Sequence, residues 1–223
     1  MTTCWKLTDA MHRTRGNTLW GWGIMYSAPG KGPLCTAGWI HCYDSPLVAV
    51  FASPAHVTWW HSAVMWRAER WGESKSDGIK RGTQHLRTIH IVEAPVITPA
   101  QKVRAAIYCA KTRRQTAEWS AWAAGWLNGT DRSFKSAENA ACASSEVAYR
   151  SIYACATDAR AAAHAASRAA LLSDVTATTD IYREAIAQAA EYSARSAAVA
   201  ADTYVGDSLA FDEIIRRAIQ EEP

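Results

Sequence analysis

No stretch of this 223-residue sequence reaches the roughly 18 consecutive apolar residues that a bilayer-spanning helix needs, so no membrane span is predicted. The opening Met1-Thr2-Thr3-Cys4-Trp5-Lys6 lacks a basic stretch followed by an apolar core, and no signal peptide is expected. Together these predict a soluble, cytoplasmic protein. A net charge of +3 is too small to imply nucleic-acid binding by itself and has the wrong sign for an acidic nucleic-acid mimic. No pair of cysteines has C-x-x-C spacing and no pair of histidines H-x-x-x-H spacing. His41 and Cys42 are adjacent, so on a strand they point to opposite faces, and no metal site is expected. The same scarcity of partners leaves Cys42 unsupported as a catalytic nucleophile, and no catalytic residue or cofactor is assigned. The turn Gly30-Lys31-Gly32 lacks the spacing of a P-loop or a dinucleotide fingerprint. The six cysteines are read as reduced, half-buried thiols, because nothing places the chain in an oxidising compartment.

Other absences are regional. All 11 tryptophans lie at or before Trp126, nine of 12 glycines at or before Gly82, and six of seven prolines at or before Pro99. From residue 100 onward, 35 of 124 residues are alanine. Residues 1–99 carry ten Lys and Arg against six Asp and Glu, and residues 100–223 carry 14 against 15, so the halves differ in charge as well. The reading is an α+β protein: a Trp-rich domain over 1–97 with a small mixed or antiparallel sheet, then an Ala-rich helical hairpin or bundle over 98–223.

Strands are predicted at Cys4–Thr8, Thr18–Tyr26, Leu34–Tyr43, Ala63–Trp71 and Gln84–Val92. In the fourth, apolar residues fall mainly on one parity and Arg67, Glu69 and Trp71 on the other. A short helix should open at Ser45-Pro46 and stop at Ser53-Pro54. Residues 72–82 read as a polar loop. In the second half, Thr98-Pro99-Ala100-Gln101 forms a capping box for a helix expected to run to Leu127, with Asn128-Gly129 as its C-cap. Tyr108, Trp119, Trp122 and Trp126 then form one stripe, read as docking onto the Trp-rich domain. Further helices are predicted from Ser133 to Leu172, Asp180 to Ala201 and Ser208 to Gln220. Bulky residues such as Tyr149, Ile152, Tyr153, Leu171, Leu172, Ile181, Tyr182, Ile186 and Tyr192 stand singly among the alanines, and self-association through this half is expected.

Eight tryptophans in the first 71 residues exceed what a small core requires. Trp59 and Trp60 belong to this set. The excess either packs as core and interface or lines a pocket, where an indole stacked on a base contributes about 1–3 kcal/mol. Cations interleave with these aromatics. Lys80-Arg81-Gly82 either contacts phosphate or forms a solvated loop. Glu69, mid-strand among aromatics, reads as a buried acid paired with Arg67 or Arg70. The candidate ligand-binding set is Trp20, Trp22, Trp39, His41, Tyr43, Trp66, Arg67, Glu69, Lys80 and Arg81.

The stretches Cys35-Thr36-Ala37-Gly38-Trp39-Ile40-His41-Cys42-Tyr43, Asp77-Gly78-Ile79-Lys80 and Trp122 to Ser133 resemble uncharacterised bacteriophage proteins, in which a Trp/Gly/Cys-containing domain precedes an Ala-rich helical tail. That resemblance brings no known activity. Gly38 to Pro46 followed by Val48 to Ala52 is similar to the strand-then-helix segment of ADP-ribosyltransferase-like domains, which helps to hold nicotinamide dinucleotide. Trp39 or Cys42 stands where the stacking Tyr of that family would be, and no Gln/Glu-x-Glu pair follows. The expectation is a non-enzymatic binder of a small nucleotide-type or other anionic ligand. For a phage protein this would suit counter-defence by sequestering an immune signalling nucleotide. The alternatives are an ADP-ribosyltransferase-like enzyme, degenerate or active, with Glu69 or Glu93 as its acid and His41 near the ligand, and a module that binds a host protein.

Overall fold

A computed structural model describes residues 1–56, 63–111, 115–150 and 211–221. The chain divides into two compact units, Met1–Val96 and Ile97–Pro223. Trp59, Trp60, His61, Cys155 and the predicted helices beyond residue 150, up to residue 210, lie outside the described residues.

In the first unit, β1 (Thr2–Thr8) pairs antiparallel with β6 (Val64–Ser76), and β6 pairs along its length with β7 (Arg81–Val92). The opposite edge of β7 carries two short strands in succession: β4 (Met25–Ser27) at residues 85–87 and β5 (Ile40–Cys42) at residues 81–83. Tyr43, just after β5, reaches the free edge of β1. Trp5 N–H donates to Tyr43 O and Tyr43 N–H to Trp5 O, both at 2.9 Å. The pairings β1–β6–β7–β5–Tyr43–β1 therefore run in a ring, and the sheet closes on itself. A separate small hairpin joins β2 (Arg13–Thr14) to β3 (Thr18–Leu19). Between them Gly16 and Asn17 take positive φ of 77° and 57°, a region that glycine and asparagine tolerate best.

Closure explains which residues are buried. Cys4, Cys42, Ala68, Leu86 and Trp20 form the core inside the ring, with Tyr26 and Ile40 against it. Lys6 shares their face of β1 and is also buried. On the other face, Leu7 and Met65 are buried, as are Val48 and Phe51 of α1 (Pro46–His56), which packs on β1. Both parities of β1 are thus covered at once. The predicted parity of β6 holds: Trp66 and Ala68 are buried, Arg67 is exposed, and Glu69 and Trp71 are half-exposed.

In the first unit, four expectations need correction. The strand predicted over Thr18–Tyr26 is β3, a turn and β4, because residues 21–24 leave the ladder to bond Thr88: Gly23 N–H donates to Thr88 O at 2.9 Å and Thr88 Oγ1 to Gly21 O at 2.6 Å. Most of the predicted loop 72–82 is strand. Only the turn at Asp77–Lys80 is not, and there Asp77 Oδ1 accepts the N–H groups of Ile79 and Lys80 at 3.1 and 2.8 Å. Gly72, at φ 78°, sits where the β6–β7 register slips, so the strand passes through a bulge instead of ending. Finally, α1 continues through Ser53-Pro54 to His56; proline there removes one backbone donor without ending the helix. Of the stretch Leu34–Tyr43, only Ile40–Cys42 is strand.

In the second unit, Thr98 and Gln101 cap each other as predicted. Thr98 Oγ1 accepts Gln101 N–H at 3.1 Å and Gln101 Oε1 accepts Thr98 N–H at 2.8 Å. Thr98→Ala should cost about 1 kcal/mol of stability, read as a shift in the urea midpoint at unchanged slope. The predicted long helix is two: α2 (Pro99–Lys111) and α3 (Ala117–Leu127). Gln115 Nε2 donates to Ala110 O at 2.6 Å at the end of α2, and Thr116 Oγ1 accepts Trp119 N–H at 3.2 Å as the N-cap of α3. The stripe is split accordingly. Trp119 and Trp122 meet edge-to-face on α3, and Arg132 lies 4.7 Å over the Trp126 ring. Tyr108, on α2, bonds Glu221, which follows α5 (Phe211–Gln220), and Arg217 of α5 lies 4.5 Å over its ring. Ser133 caps α4 (Phe134–Arg150): its Oγ accepts Ser136 N–H at 3.3 Å and donates to Ser136 Oγ at 3.1 Å. Among the described residues, no helix is long and apolar enough to cross a membrane.

Candidate functional site

The ten candidate residues separate into five places. Trp20, Tyr43 and Trp66 are buried. The indole N–H groups of Trp20 and Trp66 donate to Thr14 Oγ1 (3.0 Å) and Thr8 Oγ1 (3.3 Å), so these rings are core rather than pocket walls. Trp22 is 83% exposed on the β3–β4 turn, away from that core. Arg67 and Glu69 lie on the outer face of β6. Glu69 is half-exposed rather than buried, and its partner is Arg87 on β7, at 2.7 Å, because that residue stands directly across the ladder. Arg70 instead joins Arg81 on Asp44, at 3.2 and 2.6 Å, so the Arg81 charge is already answered by a carboxylate.

Trp39, His41 and Lys80 do come together, where the β4–β5 loop folds back on the start of β7. The loop is fastened from within. Gly30 N–H donates to Gly38 O at 2.9 Å, Thr36 Oγ1 to Pro33 O at 2.8 Å, and Trp39 Nε1 to Gly32 O at 3.0 Å. Gly82 of β7 leaves the room that Trp39 and Leu34 occupy: a Cβ there would stand 2.6 Å from Leu34 Cδ1 and 2.8 Å from Trp39 Cβ. His41, opposite Gly82 in the ladder, donates from Nε2 to Leu34 O, which leaves the lone pair of the neutral ring on Nδ1. Burial holds His41 below the ordinary imidazole range, and the Lys6 and Lys80 charges push the same way, so the ring is neutral near pH 7.

Lys80 is the unusual member. Its side chain is 7% exposed, and its Nζ lies 3.1 Å from the sulfur of Cys35, an exposed loop residue. Among the described residues it makes no ion pair. Thiol sulfur is a weak acceptor, so this largely buried lysine gives its ammonium only a weak partner within the protein. The sequence had offered Lys80 as a phosphate contact or a solvated loop residue, and burial excludes the second. Cys35 escaped notice because nothing local in a Gly/Pro-rich loop foretells a lysine 45 residues away. Among the described residues no cluster of His, Cys, Asp and Glu could hold a metal ion.

The site therefore combines one buried cation, one half-exposed indole, one neutral imidazole and one exposed thiol; among the described residues the Lys80 ammonium has no carboxylate on it, and the Asp77 carboxylate reaches Lys80 only at its backbone N–H. Such a set can neutralise and stack on an anion, and its titratable groups in hydrogen-bond contact are Lys80 and Cys35. No protein-family model, no curated protein and no solved structure matches the chain.

Proposed function

We propose that the first unit binds a small anionic ligand of nucleotide type, without turning it over, at the junction of the β4–β5 loop with β7. Lys80 supplies the charge, Trp39 the stacking face and His41 a neutral hydrogen-bonding edge. The observation that carries this reading is the buried Lys80 ammonium with only a thiol for company. A cation taken out of water costs several kcal/mol unless it is paired, and an anion at this junction would provide the pairing. Nothing favours transfer chemistry over binding: Glu69 is tied to Arg87, and Glu93 is exposed beyond the end of β7. A phage counter-defence role, by withholding a signalling nucleotide from the host, is the biological setting that fits a binder without turnover.

The test is calorimetry and thermal shift of the full chain with ADP-ribose and with cyclic mono- and dinucleotides. Ligand at one hundred times its dissociation constant should stabilise the protein by about 2.7 kcal/mol. Lys80→Met should weaken binding by about 30- to 100-fold, the loss expected for one charge-assisted contact. Absence of stabilisation by all of these ligands at millimolar concentration, or equal affinity of the Lys80→Met variant, would sink the proposal.

A further inference from the structure

The ring of strands has one short seam. β1 and β6 are joined over seven residue pairs, but β1 meets the β5 end only through the Trp5–Tyr43 pair and through Lys6 Nζ, which donates to His41 O at 2.7 Å. Cys4 and Cys42 lie diagonally across that pair, one on each side of the seam. Both are fully buried in the same core cluster, close enough that each thiol bears on the ionisation of the other. Lys6 stands beside them, 8% exposed, with its ammonium 4.9 Å from the centre of the Trp20 ring. The described residues thus hold two neighbouring thiols, next to a buried cation, at the place where the fewest hydrogen bonds must open to admit a small molecule.

We infer that Cys4 and Cys42 form a redox-active dithiol that a small peroxide converts to a disulfide, stapling the seam of the barrel. The neighbouring Cys4 thiol favours the thiolate of Cys42 over its thiol and outweighs the burial that opposes it, and the Lys6 ammonium acts in the same direction as Cys4. The Cys42 thiolate attacks one peroxide oxygen: an S–O bond forms, the O–O bond breaks, and the departing hydroxide takes up a proton to leave as water. The Cys4 sulfur then attacks the Cys42 sulfenic acid, an S–S bond forms, and the S–O bond breaks. The second water carries away the Cys4 proton. Two thiols lose two electrons and two protons, and one hydrogen peroxide becomes two waters. This inference is independent of ligand binding at Lys80.

The experiment uses the folded full chain. It is treated with hydrogen peroxide, quenched with catalase, alkylated with N-ethylmaleimide in denaturant, and digested without reduction. The expected product is a peptide pair linking Cys4 to Cys42, two hydrogens lighter than its reduced parts. The melting temperature should rise by about 10 °C, because the link closes a long loop of the unfolded chain, and dithiothreitol should reverse the rise. Recovery of Cys4 and Cys42 as separate maleimide adducts, while the exposed Cys35 and Cys142 have been oxidised, would overturn the inference. So would linkage of either to a different cysteine. A Cys4–Cys42 link with no change in melting temperature would overturn the stapling of the seam.

Discussion

Replacing Lys6 by Met is expected to stabilise the first unit at pH 7 and to remove most of the gain in stability that the wild-type chain shows between pH 8 and 10.5. Burial pushes the Lys6 amine down from 10.5 to about 8, with the Cys42 and Cys4 sulfurs pulling weakly the other way. The folded chain therefore releases this proton near pH 8, whereas the unfolded chain keeps it until 10.5. Between those limits the unfolded state binds more protons, so stability rises with pH. Above 10.5 the amine is neutral in both states and the penalty is gone; as pH falls through 8 the penalty is complete. The shift corresponds to about 3 kcal/mol at 1.36 kcal/mol per pH unit. Methionine fills a similar volume without charge, at the loss of one hydrogen bond to His41 O.

The neighbours of Lys6 titrate too. The Cys4 thiol is pushed up by the neighbouring Cys42 and by burial, so its own contribution is present below pH 9 and lost above it. Arg70 and Asp44 also bear on this pair. In the second unit Lys102 is likewise lowered to about 8 by burial. The quantity to compare is therefore the difference between wild type and Lys6→Met in urea unfolding at pH 7, 8, 9 and 10. That difference should shrink by about 2.5 kcal/mol across the series. Parallel curves would mean that Lys6 is solvated in the folded state.

Lys6 also marks where reading the sequence fails. The alternation Trp5-Lys6-Leu7 puts tryptophan and leucine inside and lysine outside, which suits a sheet with one wet face. The ring of strands has none at β1, and only long-range pairing reveals that. The parity of β6 was legible because Arg67, Glu69 and Trp71 share one face and the other is apolar. The hairpin turn at Asp77-Gly78 was hidden by the polar residues of β6 that precede it, Ser74 to Ser76, which look like loop but pair with β7. The break after Lys111 leaves no glycine or proline; its signal is Thr116, an N-cap three residues before Trp119. As for the site, composition singled out Trp20, Trp22, Trp39 and Trp66 on equal terms. Which indole is core and which is rim depends on Thr8, Thr14, Gly32 and Gly82, the partners each ring meets from far along the chain. Lys80 was visible as a cation; its burial was not.

Gly38→Ala should unfasten the candidate site without touching any proposed ligand contact. An added Cβ would stand 1.9 Å from Lys31 O, a backbone atom that cannot swing aside as a side chain can. Gly38 O is also the acceptor for Gly30 N–H, so relieving the clash pulls apart the bond that closes the loop. Trp39 follows in the chain, and its Nε1 bond to Gly32 O depends on the same closure. The expected cost is about 3 kcal/mol, the upper part of the range for overpacking, because the obstruction is main chain. Gly23 provides a control: it has a positive φ of 72°, which Gly38 does not, and an added Cβ there meets nothing within 4 Å. Gly23→Ala should cost only the local backbone strain, about 1 kcal/mol, and leave the loop closed. The two variants are compared by urea unfolding and by hydrogen exchange at the Gly30 amide. Gly38→Ala should expose that amide and abolish nucleotide-induced stabilisation, and Gly23→Ala should do neither. If Gly38→Ala retained a protected Gly30 amide and full stability, the loop would have another way to close, and the placement of Trp39 over Gly82 would no longer define the site.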